Sequence, residues 1–175
     1  MTCSFLAAVD FMLHLRPRLD ASVYIGLRRY FLTFCTSGRR HWFRSNEIVD
    51  AVHGQILHAA VEMQMEEIAY CFMPDHLHLL IEGCTETADC LAFVHRAKQS
   101  SGYGFARQRR ERLWQPSFYD RILRDEESTL PFVRYTLDNP VRAGIAETVD
   151  QYPFLGSPRY TIREVLEAVA WRPSL

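Results

Sequence analysis

Residues 70–83 have the sequence YCFMPDHLHLLIEG, and this stretch decides the fold class. A proline–aspartate pair is typical of a turn, so the apolar residues on either side of it predict the two short strands of a hairpin. Because side chains alternate along a strand, His76 and His78 share one face of the second strand, whereas Leu77 and Leu79 share the other. The leucines predict contact with a core, and the histidines then lie on the opposite face.

The elements predicted on both sides of this hairpin follow the order β-α-β-β-α-β-α. Residue types and apolar spacing predict strands over 24–36 and 113–125, and helices over 45–63, 85–108, 126–145 and 161–171. This order resembles a ferredoxin-like or RRM-like α+β fold, in which an antiparallel sheet has helices packed on one face. We therefore expect an open second face that carries both histidines, about 7 Å apart at their Cα atoms.

The composition indicates a folded protein with one domain, residues 1–175. Hydrophobic residues make up 48% of the 175 residues, which is enough to form a core. The formal net charge of -1 gives no overall positive field that would indicate a nucleic-acid binder. The basic residues are nearly all arginine, with Lys98 the only lysine. Arginine suits phosphate recognition, although a GC-rich genome also produces this bias.

The cysteines and the first residues of the chain bear on its location. Five cysteines without a CxxC pair argue against a disulfide framework and a thiolate zinc site, and they favour a cytoplasmic location. The apolar run at 5–15 is interrupted by Asp10 and His14 and lacks the flanks of a signal peptide. It is too short to span a bilayer, so we expect an amphipathic flanking segment and no membrane partner.

The HLH triplet by itself is a weak indication of a metal site. Two imidazoles on one strand face can converge on one divalent ion, but polar pairs on a wet sheet face are also common. Asp75 directly precedes the first histidine. It either orients His76 by a hydrogen bond or serves only as the turn residue after the proline.

A second motif, FVRYTLDNPVRAG at 132–144, adds reactive groups. Tyr135 and Asn139 are four residues apart, so both project from one face of the predicted helix. Asparagine offers an amide oxygen to a hard cation, and a tyrosine phenol can attack phosphorus once a nearby cation or base favours its ionised form. Pro140 disfavours helix at the residue before it, so the helix either kinks there or ends at Asn139.

Together these motifs carry a resemblance to a known family. The HLH after MPD, the YTLDNPVRAG and a later YPFLGS resemble the REP-associated tyrosine transposases of the single-tyrosine HUH superfamily, over about residues 24–157. The resemblance implies a single-stranded DNA endonuclease and strand-transferase that acts on hairpin-forming repeat DNA through a covalent 5′-phosphotyrosine. It implies Tyr135 as the nucleophile and a divalent ion, Mg or Mn, as the cofactor. The implied ligands of that ion are His76, His78 and Asn139, and both a monomer and a homodimer stay open.

Basic residues in and after the second predicted helix are candidates for contact with the DNA backbone. The run RQRRER at 107–112 is interleaved with aromatic residues that can stack on bases, although a charge run is equally typical of a solvated face. Together with the arginine of NPVRAG, the predicted DNA-binding residues are Arg96, Lys98, Arg107, Arg109, Arg110, Arg112 and Arg142.

Two other interpretations compete with the transposase. One is a non-catalytic binder of structured single-stranded nucleic acid, and the other is a metal-dependent hydrolase without a covalent step. Tyr135 beside Asn139 favours the transposase over the hydrolase, because attack by water does not require a tyrosine. Tyr119 and Tyr103 are rival nucleophiles. The aromatic neighbours of Tyr119 favour a packing role, and the glycines around Tyr103 are typical of a mobile loop.

Overall fold

A computed structural model describes residues 20–124 and 128–167 of the chain. Within these residues one sheet of five strands is surrounded by five α-helices. The strands are β1 (Arg29–Cys35), β2 (Met65–Met73), β3 (His76–Gly83), β4 (Tyr119–Ile122) and β5 (Leu155–Gly156). The helices are α1 (Asn46–Glu62), α2 (Cys90–Arg109), α3 (Thr129–Leu137), α4 (Asn139–Arg142) and α5 (Ile162–Glu167), with short 3-10 helices at Ala21–Tyr24, Ser37–Arg39 and Val149–Gln151.

The strand order is β4-β1-β3-β2-β5, and every pair of neighbouring strands is antiparallel. The first six main elements follow the ferredoxin-like order β-α-β-β-α-β, which confirms the predicted α+β class. The predicted hairpin is present as β2 and β3, which pair on either side of Pro74 and Asp75. The short β5, which was not predicted, pairs with β2 at the edge of the sheet.

One face of the sheet packs against α1 and α2. The apolar residues that alternate with the histidines along β3 are buried on this face, as the alternation predicts. Leu77, Leu79 and Ile81 lie in one cluster with Ile56 of α1 and Phe93 of α2. Burying an aliphatic side chain of this size stabilises the fold by about 1.5–3 kcal/mol, so these contacts fix the register of β3 against the helices.

The other face of the sheet is covered as well, which corrects the prediction of helices on one face and an open second face. Val133 of α3 and Val165 of α5 pack there in a second cluster with Leu80 of β3. His76 and His78 lie on this face and are only 7% and 8% exposed. The physical reason is that Leu80 continues the histidine face with an apolar side chain, which needs cover from water.

The helix predicted over 126–145 is broken in two. α3 ends at Leu137 and α4 begins at Asn139. Pro140 has no N–H to donate to the carbonyl of Thr136, four residues before it, so the helix cannot continue unbroken. The sequence left open a kink at this proline or a helix that ends at Asn139; the structure shows a break, with Asn139 as the first residue of the second helix.

Two predicted strand boundaries change. The first strand begins at Arg29 instead of residue 24, because Ala21–Tyr24 forms a 3-10 helix whose first turn is capped by the side chain of Asp20. The strand predicted over 113–125 is confined to β4, an edge strand of the sheet, which is the kind of strand that a nearby proline such as Pro116 favours.

Two predicted segments lie outside the described residues. They are the amphipathic segment at 5–15 and the end of the last predicted helix at 168–171. Of the helices that the structure describes, none combines the length and the apolar character that crossing a membrane requires.

Candidate active site

His76 and His78 meet through their Nε2 atoms on the covered face of β3. These two atoms are 3.1 Å apart, and the ring planes are close to perpendicular at 86°. Two nitrogens that bind one ion at about 2.1 Å each stand about 3 Å apart when the two bonds are perpendicular. The observed spacing therefore fits two ligands of a single divalent ion.

The second nitrogen of each ring is held by a neighbour. Nδ1 of His76 donates to Oδ1 of Asp75 at 2.6 Å, and Nδ1 of His78 is hydrogen-bonded to Oγ1 of Thr33 on β1 at 3.0 Å. A carboxylate can only accept, so Asp75 keeps a proton on Nδ1 of His76 and leaves a lone pair on Nε2 of that ring. The Thr33 hydroxyl can donate or accept, and Nε2 of His78 presents a lone pair when its ring carries the proton on Nδ1. The two Nε2 atoms can therefore share a proton in a hydrogen bond or bind one cation between them. The donor set thus fits a metal ion.

The surroundings of His78 and Asp75 favour a neutral imidazole at His78 and an ionised carboxylate at Asp75. Burial lowers the pKa of His78 well below its ordinary value, and the positive charges of His76, Arg142 and Arg39 act in the same direction. Burial alone would raise the pKa of Asp75, but the hydrogen bond from His76 and the nearby positive charges outweigh it and hold that pKa below its usual value. Neutral imidazole is the form that binds metals.

Asn139, the predicted third ligand, lies at the break between α3 and α4. Its Nδ2 donates to the carbonyls of Tyr135 at 2.7 Å and Thr136 at 3.2 Å, which are carbonyls at the end of α3. Because the amide nitrogen is used in this way, Oδ1 is the end of the amide left for a cation. Among the described residues, no group of three His, Cys, Asp or Glu side chains could hold a metal ion, so a third protein ligand would be of another type.

α3 brings Tyr135 to the histidine pair. The centroid of its ring lies 6.4 Å from that of His78. Phe31 of β1 contacts both rings, since its centroid lies 5.6 Å from the Tyr135 ring and 5.3 Å from the His78 ring. Tyr135 is 42% exposed, whereas the pair beneath it is buried, so its side chain is accessible from the surface. The structure therefore brings together the predicted nucleophile and both predicted histidine ligands.

Arg142, a predicted DNA contact, lies at the same place. Its guanidinium carbon stands 4.4 Å from the centroid of the Tyr135 ring, which is a cation–π contact. The residue itself is exposed at the end of α4. Arg142 therefore belongs to the histidine–tyrosine site, not to the basic run of α2.

Three other predicted DNA contacts are engaged within the protein. Arg96 and Arg109 each pair with a glutamate of α1, at 2.6 and 3.4 Å. Nζ of Lys98 donates to the consecutive carbonyls of residues 115–117, at 2.8, 3.1 and 2.8 Å. These carbonyls belong to the segment that leads into β4, so Lys98 has a structural role there.

The last three predicted DNA contacts, Arg107, Arg110 and Arg112, are exposed at and after the end of α2. Arg110 and Arg112 line a groove of about 680 Å³ between α2 and the segment 110–118, with Trp114 in its wall. None of the groove's lining residues belongs to the histidine pair or is the tyrosine above it. A basic groove and the histidine–tyrosine site are thus separate features of the surface.

The two rival tyrosines differ in position. Tyr119 lies on β4 opposite Thr33, on the histidine face, and is partly buried in the second cluster. Tyr103 lies within α2 and is 65% exposed, with the guanidinium of Arg107 over its ring. Tyr103 thus lies inside the helix predicted over 85–108 and not in the mobile loop of which its neighbouring glycines are typical.

Sequence reasoning missed two residues of the site, Phe31 and Thr33. Both follow from the pairing of β1 with β3, which places Phe31 opposite Leu80 and Thr33 opposite His78. The available signal was the alternation of these two residues with buried apolar ones along the first predicted strand. That signal does not fix which residues of β3 lie opposite them.

Comparison with a family model gives a match over more than half of the chain. Residues 26–129 match the model described as "Transposase IS200 like". This range includes β1, the histidine pair and α2, and it ends at the first residue of α3, before the tyrosine motif.

Two individual proteins are similar to this chain. A protein of Haemophilus influenzae named "Putative REP-associated tyrosine transposase" is 29% identical over 100 residues, which are 51% of this chain and 57% of the relative. The chain thus matches little more than half the length of that curated relative. A solved structure described as "Structure of the REP associates tyrosine transposase bound to a REP hairpin" has a TM-score of 0.68 at 20% identity. The match covers 80% of this chain and 81% of the solved one, and it is a likeness in fold.

Proposed function

The chain belongs to the IS200-like transposase family, and we propose that it cleaves and rejoins hairpin-forming single-stranded DNA with Tyr135 as the nucleophile. The observation that carries this proposal is the approach of Tyr135 to His78, with ring centroids 6.4 Å apart. An accessible phenol next to a pair of preorganised imidazoles is an arrangement suited to phosphoryl transfer.

In the proposed cleavage, Oη of Tyr135 attacks the phosphorus of the scissile phosphodiester. The bond from Oη to phosphorus forms as the bond from phosphorus to O3′ breaks. The phenol releases its proton to solvent and the leaving O3′ takes one up, which gives a free 3′-hydroxyl and a 5′-phosphotyrosine. The new ester keeps the energy of the broken one, so a 3′-hydroxyl can reverse the step and rejoin the strand without nucleotide hydrolysis.

The Nε2 atoms of His76 and His78 would hold a divalent ion, Mg or Mn, with Oδ1 of Asn139 as a third donor. Such an ion, when bound, polarises the scissile phosphate and offsets the charge that develops on it. The contacts of Asp75 and Thr33 with the two Nδ1 atoms support this assignment, because they orient both rings toward one point.

Hairpin DNA is the substrate class that we propose. The solved relative is described as bound to a REP hairpin, and the fold of this chain is similar to that structure. The exposed Arg107, Arg110 and Arg112 and the groove beside them offer positive charge for the phosphates of such a hairpin. Single-stranded DNA at the tyrosine would then extend from a hairpin held elsewhere on the surface.

The experiment incubates the full chain with a hairpin oligonucleotide that has single-stranded flanks, in Mn²⁺, and separates the products under denaturing conditions. Oligonucleotides labelled at the 3′ end should comigrate with the protein, whereas 5′-labelled ones should be released as shorter free strands. The Tyr135→Phe variant should form no adduct and still bind the hairpin. The matched control is Tyr119→Phe, which removes the other phenol on the same sheet face and should leave the adduct in place.

Three results would contradict the proposal. An adduct that survives Tyr135→Phe and disappears in Tyr119→Phe would move the nucleophile to β4. Cleavage without any adduct would favour a hydrolase that uses water. Hairpin binding without cleavage in Mg²⁺ or Mn²⁺ would favour a non-catalytic nucleic-acid binder.

A further inference from the structure

Arg142 of α4 contacts the ring of the proposed nucleophile, Tyr135. Its guanidinium carbon lies 4.4 Å from the centroid of the Tyr135 ring. A second constraint on the ring comes from Phe31, which meets it edge-on at 5.6 Å and 78°. The exposed phenol ring therefore has a cation on one side and an aromatic ring on another.

The guanidinium has binding capacity left beside its contact with the ring. It carries five N–H donors in a planar fork, and a cation–π contact of its carbon with the ring centre leaves donors for another partner. Within residues 20–124 and 128–167, no carboxylate forms an ion pair with Arg142. Arg134 of α3 differs in this respect, because it pairs with Asp138 at 3.0 Å.

The charge of Arg142 also reaches the histidine pair. The Tyr135 ring that it contacts lies 6.4 Å from the His78 ring, between centroids. The same charge thus lies near both the phenol ring and the imidazole pair. A phosphodiester that lies between the phenol and the pair would lie within the field of this guanidinium.

We infer that Arg142 clamps the nucleophile and the scissile phosphate together: its face positions the Tyr135 ring, and its N–H edge binds a non-bridging phosphate oxygen. This inference rests on the proposed function of Tyr135. Arg142 stays protonated throughout the step, so it accepts and gives up no proton. It stabilises the extra negative charge on the non-bridging oxygens while the bond from Oη to phosphorus forms and the bond to O3′ breaks.

The test compares Arg142→Gln, Arg142→Lys and the control Arg134→Gln in single-turnover adduct formation with saturating hairpin and Mn²⁺. Hairpin affinity and the urea unfolding midpoint are measured for each variant. We expect Arg142→Gln to lower the rate of adduct formation by about 10²- to 10³-fold, because this is the usual effect of losing one preorganised donor to a developing oxyanion. The affinity of this variant for the hairpin should stay within about threefold of wild type. Arg142→Lys keeps the charge without the planar fork, so it should recover part of the rate and stay about tenfold or more below wild type.

The control separates a role at the phosphate from a role in the helix. Arg134→Gln removes the same charge from the adjacent helix and should keep the adduct rate within about threefold. A rate near wild type for Arg142→Gln, or an equal loss in Arg134→Gln, would overturn the inference and leave the proposed function standing. Wild-type protein that forms no adduct would overturn both.

Discussion

Replacing Asp75 by asparagine or alanine tests whether its carboxylate prepares the histidine pair for a metal ion. Oδ1 of Asp75 accepts from Nδ1 of His76 at 2.6 Å, a charge-assisted hydrogen bond. Removing a partner that orients a metal-bound histidine typically costs 10- to 100-fold in affinity, which is about 1.4–2.7 kcal/mol. Asparagine keeps an acceptor oxygen without the charge, so we expect about tenfold weaker Mn²⁺ binding for Asp75→Asn and about 100-fold for Asp75→Ala.

The assay is calorimetric titration of the full chain with Mn²⁺ in the absence of DNA. The fold should survive both substitutions, because the contacts that tie the turn to Thr36 use the main-chain carbonyl of Asp75, which both variants keep. Thermal unfolding in chelator checks this point separately. A variant that unfolds like wild type and binds Mn²⁺ weakly has lost the site and not the structure.

Arg39→Gln is the matched control. Arg39 contacts the other oxygen of the same carboxylate, at 3.4 Å, and does not touch the imidazole. Its removal takes a positive charge away from the ion, so Mn²⁺ affinity should stay unchanged or rise. Asp75→Ala with wild-type affinity for Mn²⁺ would refute the reasoning, because His76 would then need no partner to present its Nε2. Weaker binding in Arg39→Gln would show that general disturbance of the turn explains the loss.

Three further substitutions test the packing of the fold by urea unfolding. Gly83→Ala should cost about 3 kcal/mol or more, because the added Cβ would stand 2.1 Å from the carbonyl oxygen of Gly26. Gly54→Ala is the control, because Gly54 lies inside α1 and nothing lies within 4 Å of the added Cβ. It should stabilise the protein by about 0.5–1 kcal/mol. Equal stability of the two variants would contradict the close approach of Gly83 to Gly26. Lys98→Met should destabilise by about 1–3 kcal/mol, because the three carbonyls of residues 115–117 lose a charged donor; an unchanged unfolding midpoint would contradict the structural role of Lys98.

The sheet was predictable from the sequence, whereas the cover on its second face was not. Alternation of histidine and leucine in β3 gives the correct faces, because Leu77 and Leu79 pack under α1 and α2. The same alternation continues into Leu80, an apolar residue on the histidine face, and β1 is apolar along nearly its whole length. Strands that are apolar on both faces are buried on both faces. The run in β1 was therefore a signal against an open face.

The site could be predicted where it depends on residues near each other in sequence. His76 and His78 are fixed by strand alternation, and Tyr135 by its place one turn before Asn139 on a helix. Thr33 could not be found in this way, because its place opposite His78 depends on the register between β1 and β3. Register is set by core packing over the whole sheet, and a shift of one residue would turn Thr33 to the other face.

The break at Pro140 connects the proposed nucleophile, Tyr135, to the proposed third ligand, Asn139. Pro140 prevents α3 from continuing beyond Leu137. The carbonyls of Tyr135 and Thr136, at the end of α3, accept hydrogen bonds from the side chain of Asn139 instead. Because Nδ2 of Asn139 points toward the end of α3, Oδ1 of the same side chain points away from it. The histidines lie in a central strand that is paired on both sides, so they are held rigidly. Tyr135, Asn139 and Arg142 lie together at the helix break, where Asn139 donates to the Tyr135 carbonyl and Arg142 contacts the Tyr135 ring. The position of this break therefore sets where the proposed nucleophile, the amide oxygen and the guanidinium lie relative to the histidines.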